Sequence, residues 1–475
     1  MLNLTRLSFF FLIAAVFLAP LIGGQFEFVF AGPLYMLVLL SAFLLFISGK
    51  STSPSLFTKG FDVIALALFV ILTIIAGLGT AGAHVSVVQI VSIACFFAVF
   101  LLGRRTGRLG SETPILTAIA LAGILLGVSA IAEYQVMHAE YLKQAGSEYR
   151  VFGSYLTPGF FNPGFFAGYL AMALPITLGL YCGSKKLWLT SLAGLACLAQ
   201  LAAILLTGAR FGAIALLFGL ICFIIALTLG KALSRQTLLR LAVIAILSLV
   251  VLALFHGPMT YRVAAAHEQS HSLAFRLLTW QATANIAKNH ILFGTGPGTF
   301  HLIFPQYCIA GFTRLAHNSY LQIAAETGIP ALLAFIVGVG AVLLASIRGL
   351  RRSNSGNTAI LSGLIAGIAA SSIRNLTDSD WYVPGVALVF WFALGLASGM
   401  SRRHIEEAPA KVSPKRWVSI LIGTITLILI AVIAVLNLAA SPAANGRRAV
   451  ETNNPKLAMA EYQLASRFAP WSADY

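Results

Sequence analysis

The stretch that decides the fold is "LAAILLTGARFGAIALLFGL", residues 201–220. Two apolar runs, over 187–206 and 211–229, meet there in a hairpin of about four residues that contains a single arginine, Arg210. A helix of roughly 20 apolar residues crosses a hydrocarbon core about 30 Å thick. The stretch therefore predicts two membrane-spanning helices joined by a tight turn.

The same pattern recurs along nearly the whole chain of 475 residues. Hydrophobic residues make up 59% and charged residues 10%, with a mean hydropathy of +0.90. Soluble domains carry about 25% charged residues. We predict an all-α, polytopic bundle of about 12–13 transmembrane helices over residues 1–440, whose first run is retained as a helix. A membrane β-barrel would show short alternating segments, which the sequence lacks.

The net charge of +16 is distributed by loop. With Lys and Arg assigned to the nearest loop, the N-terminus and every second loop hold 19 of the 31, the intervening loops 8 and the tail 4. Because Lys and Arg favour cytoplasmic loops, the N-terminus is predicted inside and the tail outside. A basic tract interleaved with aromatic residues would suggest nucleic-acid binding, and the sequence contains no such tract. The five cysteines show no pairing that predicts a disulfide or zinc site.

This orientation places two long loops, 136–159 and 257–317, outside. Among the residues that it places there are Arg150, Arg210, Arg276, Arg314 and Arg374, which the charge rule does not require. An isolated arginine at this depth either extends to the interface or binds an anion. Several of them on one face predict a multiply charged anionic ligand.

The 257–317 loop contains "SLAFRLLTWQATANIAKN", whose spacing predicts an amphipathic helix along the membrane surface. Arg276 and Trp280 lie one turn apart on it. The following "GTGPGT", residues 294–299, lacks the strand and the Lys-Ser/Thr ending of a nucleotide-binding loop. It predicts a tight re-entry turn, whose N–H groups would contact a phosphate only weakly.

"RLAHNSYLQIAAETGIP", residues 314–330, begins a predicted span over 318–347. The field at a helix N-terminus favours anions and disfavours imidazolium. His317 is therefore expected to be neutral, as a general base must be, although a surface hydrogen-bonding role is the simpler alternative. Asn318 or Ser319 is expected to cap the helix. Glu326 is expected to be a buried acid or an arginine partner.

Two acidic residues, Asp378 and Asp380, lie in "NLTDSDWY" on the predicted outer side. A D-x-D pair can hold a divalent cation. Capping, or pairing with Arg374, is favoured here over metal binding, and no metal site is predicted.

Residues 441–475 differ in character from the rest. Their alternation of Ala with larger apolar residues resembles part of a tetratricopeptide-type helical repeat. One partial repeat cannot bury a core by itself. This periplasmic helical tail is expected either to dock on the membrane domain or to be a short vestige, and a protein partner is possible through it.

Taken together, "LLTGARFGAIALL", "FRLLTWQATANIAKNHILFGTGPGTF" and "AHNSYLQIAAETGIPALL" resemble the O-antigen ligase and polymerase (Wzy_C) superfamily. The resemblance implies a helical bundle similar to the C-type glycosyltransferases, in a bacterial inner membrane with an outward-facing site. Ligases of this kind move a glycan from undecaprenyl pyrophosphate to lipid A–core.

By this resemblance Arg210 and Arg276 would bind the pyrophosphate and His317 would activate the acceptor hydroxyl. No metal or cofactor is implied. The further substrate-binding candidates are Arg150, Trp280, Arg314, Asn318, Ser319 and Arg374. Membrane lipids complete the expected partners, and nucleic acid is not among them.

Other functions stay open on the sequence. A polymerase would extend a growing glycan, and a protein O-glycosyltransferase would use a polypeptide acceptor. A secondary transporter also has broken helices and buried polar groups, but no clear inverted repeat is present. A non-catalytic scaffold would leave the arginines and His317 without a chemical role.

Overall fold

The computed structural model describes residues 4–25, 27–48, 60–145, 156–258, 260, 270–353, 355–403 and 416–470. These residues form 17 α-helices and contain no β-strand. In chain order the helices are α1 (Leu4–Ile22), α2 (Phe28–Ile47), α3 (Phe61–Leu78), α4 (Ala83–Leu109), α5 (Thr113–Ala145), α6 (Pro163–Gly183), α7 (Leu187–Thr207), α8 (Arg210–Leu229), α9 (Arg235–Phe255), α10 (Ser270–Asn289), α11 (Phe300–Ile303), α12 (Ser319–Thr327), α13 (Ile329–Leu350), α14 (Ser355–Arg374), α15 (Pro384–Ser401), α16 (Arg416–Glu451) and α17 (Pro455–Phe468).

Thirteen helices in this described part of the chain are long and apolar enough to cross a membrane. The protein is a multi-pass helical bundle, as predicted. Helices α6 and α15 are its centre, because their apolar windows are entirely buried by other helices. The outermost of the thirteen is α9, in which only Thr237 and Ile244 are buried.

Small residues allow the central helices to approach closely. A Cβ on Gly395 of α15 would lie 2.0 Å from the Phe100 carbonyl oxygen of α4, and one on Gly103 would lie 2.7 Å from the Phe392 carbonyl oxygen. No residue larger than glycine fits at such separations. Because lipid tails are themselves apolar, close backbone packing rather than hydrophobicity holds helices together in a bilayer.

The predicted single span over 318–347 is wrong. The chain breaks at Gly328 into a nine-residue helix, α12, and the longer α13. Gly328 has φ +86°, and a Cβ there would lie 2.2 Å from the Leu292 carbonyl oxygen. Ile329 N–H donates to the Ile291 carbonyl (2.8 Å), so the loop after α10 fixes the break.

Two helices extend beyond their predicted spans. Helix α5 continues to Ala145, ten residues beyond the predicted end of its span at 135. Helix α16 runs to Glu451, so the predicted start of the tail at residue 441 lies inside it. Helix α17 then folds back along α16, with the Tyr462 ring against Gly446.

Candidate active site

Four segments far apart in sequence meet at one end of the bundle, called the site end below. They are the N-terminus of α8, helix α10, the residues that open α12, and the loop between α14 and α15. Each was predicted to lie on the outer side. The structure brings their polar side chains into one cluster.

His317 immediately precedes the N-cap of α12 and has a left-handed backbone (φ +51°). Two contacts hold the chain in this unusual conformation. Trp280 Nε1 of α10 donates to the His317 carbonyl (3.0 Å). Asn318 caps the helix by accepting from Leu321 N–H (3.0 Å), and its Nδ2 donates to the Leu376 carbonyl (3.0 Å). These contacts hold His317 at the N-terminus of α12.

Asp378 contacts three other charged or titratable residues of the cluster. Its Oδ1 lies 2.9 Å from His317 Nδ1, and its Oδ2 lies 2.7 Å from Arg374 Nη2 and 3.8 Å from Arg276 Nη2. Burial alone would raise the pKa of Asp378, but the Arg374 charge and the His317 hydrogen bond outweigh burial and hold that pKa well below its usual range. Because an ionised carboxylate only accepts, the hydrogen-bond pattern assigns the imidazole proton to Nδ1.

The other imidazole nitrogen, Nε2, makes no hydrogen bond to any described residue. The side chain of His317 is 25% exposed. A neutral imidazole with Nδ1–H bound to a carboxylate has its lone pair on Nε2. The arrangement is that of an oriented general base.

Arg276 and Arg210 approach each other at the N-terminus of α8. The Arg276 guanidinium lies over the ring of Phe211, 5.0 Å from its centroid, and Phe211 directly follows Arg210. Burial lowers the pKa of Arg276; the Asp378 charge opposes this shift, and the charges of Arg374 and Arg210 add to it. Arg276 donates no hydrogen bond within the described chain, so its planar set of donors is available to an anion.

Arg374 is enclosed rather than presented to a ligand. Its side chain is 2% exposed. It donates to the Gly164 carbonyl (2.9 Å), Thr377 Oγ1 (3.2 Å) and Asp378, and its Nε lies 3.6 Å from Asp380 Oδ2. Of the two predicted alternatives, capping or pairing with Arg374, the structure shows pairing: Asp378 hydrogen-bonds to Arg374, and Asp380 lies within ion-pair distance of it. Arg374 therefore acts on the cluster by positioning Asp378.

Asp380 differs from Asp378 although only one residue separates them. Neither of its oxygens has a hydrogen-bond partner among the described residues. Burial raises the pKa of Asp380; Arg374 opposes the shift and Asp378 adds to it. Of the two carboxyl groups, Asp378 is the anion and Asp380 favours its neutral form.

The remaining predicted substrate contacts have different surroundings. Ser319 is fully buried, and its hydroxyl donates to Asn375 Oδ1 (2.5 Å). The side chains of Ser319 and Asn318 thus bind protein and secure the segment around His317. Arg314 is exposed and has no ion pair with a described residue. Arg150 lies outside the described residues.

Glu326 is buried one turn beyond Gln322 and binds the glycine-rich turn, rather than an arginine. Its carboxylate accepts from four donors: Gly298 N–H (3.0 Å), Phe300 N–H (3.1 Å), Gln322 Nε2 (3.3 Å) and the Tyr382 hydroxyl (3.0 Å). Burial raises the pKa of Glu326 to about 7, and these hydrogen bonds limit the rise. The N–H groups that the sequence offers as a weak phosphate contact are therefore occupied by an internal carboxylate.

A family model described as "O-Antigen ligase" (Wzy_C) matches residues 195–336. Over these residues the chain is similar to that family. This match confirms the resemblance seen in the three motifs, and it covers α8, α10 and α12 with Arg210, Arg276 and His317. The family is one of glycan-transferring membrane enzymes of the O-antigen ligase and polymerase type. No curated protein matches the chain.

The sequence pointed to Asp378 only through Arg374 and a possible metal. Its contact with His317 joins positions 61 residues apart and leaves no periodic pattern. Phe211, the aromatic platform under Arg276, was also missed. Its position next to an isolated hairpin arginine was the available signal.

Proposed function

We propose that this protein transfers a glycan from a lipid pyrophosphate, of the undecaprenyl pyrophosphate type, to an acceptor hydroxyl. The reaction takes place at the site end, which the loop charges predict to face the periplasm. The observation that carries the proposal is the meeting of Arg276, the Arg210–Phe211 corner and the His317–Asp378 pair in one cluster. Anion-binding groups and a general base are the two parts that this chemistry needs.

The charge balance of the cluster favours an anionic donor. Three guanidinium groups, of Arg210, Arg276 and Arg374, face one firmly ionised carboxylate, Asp378. That carboxylate is already engaged by Arg374 and His317. An incoming pyrophosphate would balance the positive charge of the cluster. Its oxygens would accept hydrogen bonds from the unused donors of Arg276, because the planar guanidinium matches the geometry of phosphate oxygens. As the anomeric C–O bond breaks, negative charge grows on the pyrophosphate, and fixed cations stabilise that charge.

His317 supplies the base in this scheme. Its Nε2 takes the proton of the acceptor hydroxyl, the hydroxyl oxygen forms the new bond to the anomeric carbon, and the electron pair of the broken bond leaves on the pyrophosphate oxygen. Asp378 holds the ring in the required tautomer. One displacement by one oxygen inverts the anomeric centre. The scheme uses no nucleotide and no metal ion.

The acceptor that we propose is lipid A–core, which makes the protein ligase-like. The alternatives from the same superfamily are a growing glycan, as in a polymerase, and a protein hydroxyl. Purified protein in nanodiscs, given a lipid-pyrophosphate-linked glycan and lipid A–core, separates these functions. Product on lipid A–core indicates a ligase, whereas longer lipid-linked chains formed without lipid A–core indicate a polymerase.

The His317→Ala variant tests the chemistry in the same assay. General-base catalysis contributes roughly 10²–10⁴-fold, so turnover should fall by that factor. His290→Ala is the matched control, because His290 is an exposed histidine at the end of α10. Full turnover by the His317→Ala variant would refute the base role.

A further inference from the structure

Three consecutive large apolar side chains are exposed directly after α10. Ile291, Leu292 and Phe293 are 53%, 62% and 51% exposed. Single exposed apolar residues are common on proteins, but a contiguous group marks a surface that an apolar partner covers. These three residues, called the apolar tip below, precede the glycine-rich turn at the site end. They lie outside the proposed catalytic cluster.

The backbone of the apolar tip is attached to the break between α12 and α13. Ile329 N–H, at the start of α13, donates to the Ile291 carbonyl (2.8 Å). A Cβ on Gly328 would clash with the Leu292 carbonyl oxygen, so the two backbones are in direct contact there. The position of the tip along the bundle therefore follows from the position of the first residue of α13.

The length of α13 places that residue at the edge of the bilayer. Arg348 is the charged residue that α13 carries near its opposite end, and residues 328–347 are uncharged. This run of about 20 residues is about 30 Å long, which is the thickness of a hydrocarbon core. The apolar tip therefore lies at the boundary of the core, and any tilt of α13 would place it deeper.

Helix α3 gives the same level independently. Asp62 pairs with Arg402 (2.8 Å) at the end opposite to the site, and the run of about 18 uncharged residues from there to Thr80 is about 27 Å long. Ala81 N–H then donates to the Thr295 carbonyl (3.0 Å) in the glycine-rich turn. The turn that directly follows the apolar tip thus lies at the end of a second run of about bilayer length.

The apolar tip also adjoins a surface that faces lipid. Leu333, Ile336 and Val337 of α13 are exposed, as expected of a helix at the outside of a membrane bundle. Leu333 lies one helical turn after Ile329, and residues four apart share one face of a helix. Since Ile329 is bonded to the tip, the lipid-facing stripe of α13 leads to the tip.

We infer that the apolar tip inserts into the leaflet at the site end, which is the outer leaflet by the predicted orientation, and contacts lipid acyl chains. The exposed Lys288, Asn289 and His290 immediately precede the tip and lie among the lipid headgroups. Because α12 and the glycine-rich turn are attached to the tip, its insertion sets their height above the bilayer. The inference requires no glycan transfer and stands independently of the proposed function.

Nitroxide labelling of the full chain in lipid vesicles tests this insertion. Cys222 and Cys308 are first replaced by serine, because they are partly exposed whereas the other three cysteines are buried. Leu292→Cys and Phe293→Cys are then labelled in separate variants. Power-saturation EPR measures collisions of each label with oxygen, which concentrates in hydrocarbon, and with nickel-EDDA, which stays in water. We expect collisions with oxygen to exceed those with nickel at both positions.

Two reference labels calibrate the measurement. Leu333→Cys reports the lipid face of α13, and Glu451→Cys reports water at the exposed end of α16. Leu292→Cys, at the most exposed position of the tip, decides if the two tip labels differ or if Phe293→Cys does not fold. An excess of nickel collisions there, as at Glu451→Cys, would place the tip in water and overturn the inference. Few collisions with either reagent would overturn it in favour of a protein partner.

Discussion

Replacing Asp378 by asparagine tests the electrostatic centre of the proposed site. The carboxylate accepts from three donors: His317 Nδ1 (2.9 Å) and Ser379 N–H (3.1 Å) bind Oδ1, and Arg374 Nη2 (2.7 Å) binds Oδ2. An amide of the same shape has only one acceptor atom. Either His317 and Ser379, or Arg374, must therefore face the NH₂ group and lose their acceptor.

The size of the effect follows from these two contacts. A hydrogen bond to a charged group contributes about 1.5–3 kcal/mol. Loss of the His317 contact frees the ring and the tautomer that the base requires, which corresponds to roughly 10–150-fold in turnover. Loss of the Arg374 contact instead leaves a buried guanidinium with less compensation and lowers thermal stability. The orientation of the amide decides which of the two losses occurs.

Asp380→Asn is a matched control in the same loop. Burial raises the pKa of Asp380, so its neutral acid resembles the amide in charge and size. We expect its turnover to stay within about fivefold of the unmodified chain, a change of about 1 kcal/mol. The assay is the initial rate of glycan transfer in nanodiscs, with tryptophan fluorescence during heating as the check on folding. Equal losses in the Asp378→Asn and Asp380→Asn variants would refute this assignment of charges.

Three further predictions use the same assays. Arg276→Lys should lower turnover roughly 100-fold, or about 3 kcal/mol, because an ammonium lacks the planar set of donors of a guanidinium. The control Arg235→Lys, at an exposed arginine at the start of α9, should leave turnover unchanged, and equal effects would contradict the role of Arg276. The pKa of Glu326 is about 7 in the folded protein, against an ordinary value of 4.5. As pH rises, Glu326 therefore loses its proton in the unfolded chain before it does so in the folded protein. The free energy of unfolding should fall by up to about 3 kcal/mol between these two pH values. Glu326→Gln should make the thermal midpoint fall less steeply with pH over this range, and pH curves parallel to those of the unmodified chain would disprove it. Trp280→Phe removes the hydrogen bond to the His317 carbonyl and should cost about 1 kcal/mol in turnover with little change in thermal midpoint; an unaltered rate would deny Trp280 a positioning role.

The membrane-spanning helices could be predicted because an apolar run of bilayer length has few other structural meanings. Their predicted ends were less accurate where helices extend beyond the apolar run, as α5 and α16 do. There the sequence becomes polar, but its helix-forming residues continue. Hydropathy identifies the part of a helix that lies in the bilayer, and it does not identify where a helix ends beyond the bilayer.

The break at Gly328 shows a different limit. Apolar residues continue across it, so hydropathy predicts one span. The decisive contact is with the Leu292 carbonyl, 36 positions earlier, and a span prediction does not include it. A local signal was present in "TGIP", since a glycine before Pro330 often separates two helices. The length of the uninterrupted apolar run favoured a single span in spite of that signal.

The site was predicted in part for a similar reason. Arg210, Arg276 and His317 could be placed on one face because loops alternate between the two sides of a bilayer. Which side chains then pair depends on distances that alternation does not give. The contact of Asp378 with His317 and that of Glu326 with the glycine-rich turn became visible only in three dimensions.

The two carboxylates at this end of the bundle have complementary effects on where an anion can bind. Glu326 occupies the N–H groups of the glycine-rich turn, so that turn presents an internally compensated surface instead of a phosphate cradle. Asp378 is held by Arg374 and His317, and it lies 3.8 Å from Arg276, too far for a hydrogen bond. The anion affinity of this end is thereby concentrated on the Arg276 and Arg210 side. Under the proposed function, a pyrophosphate would bind on this side, near the imidazole that Asp378 orients.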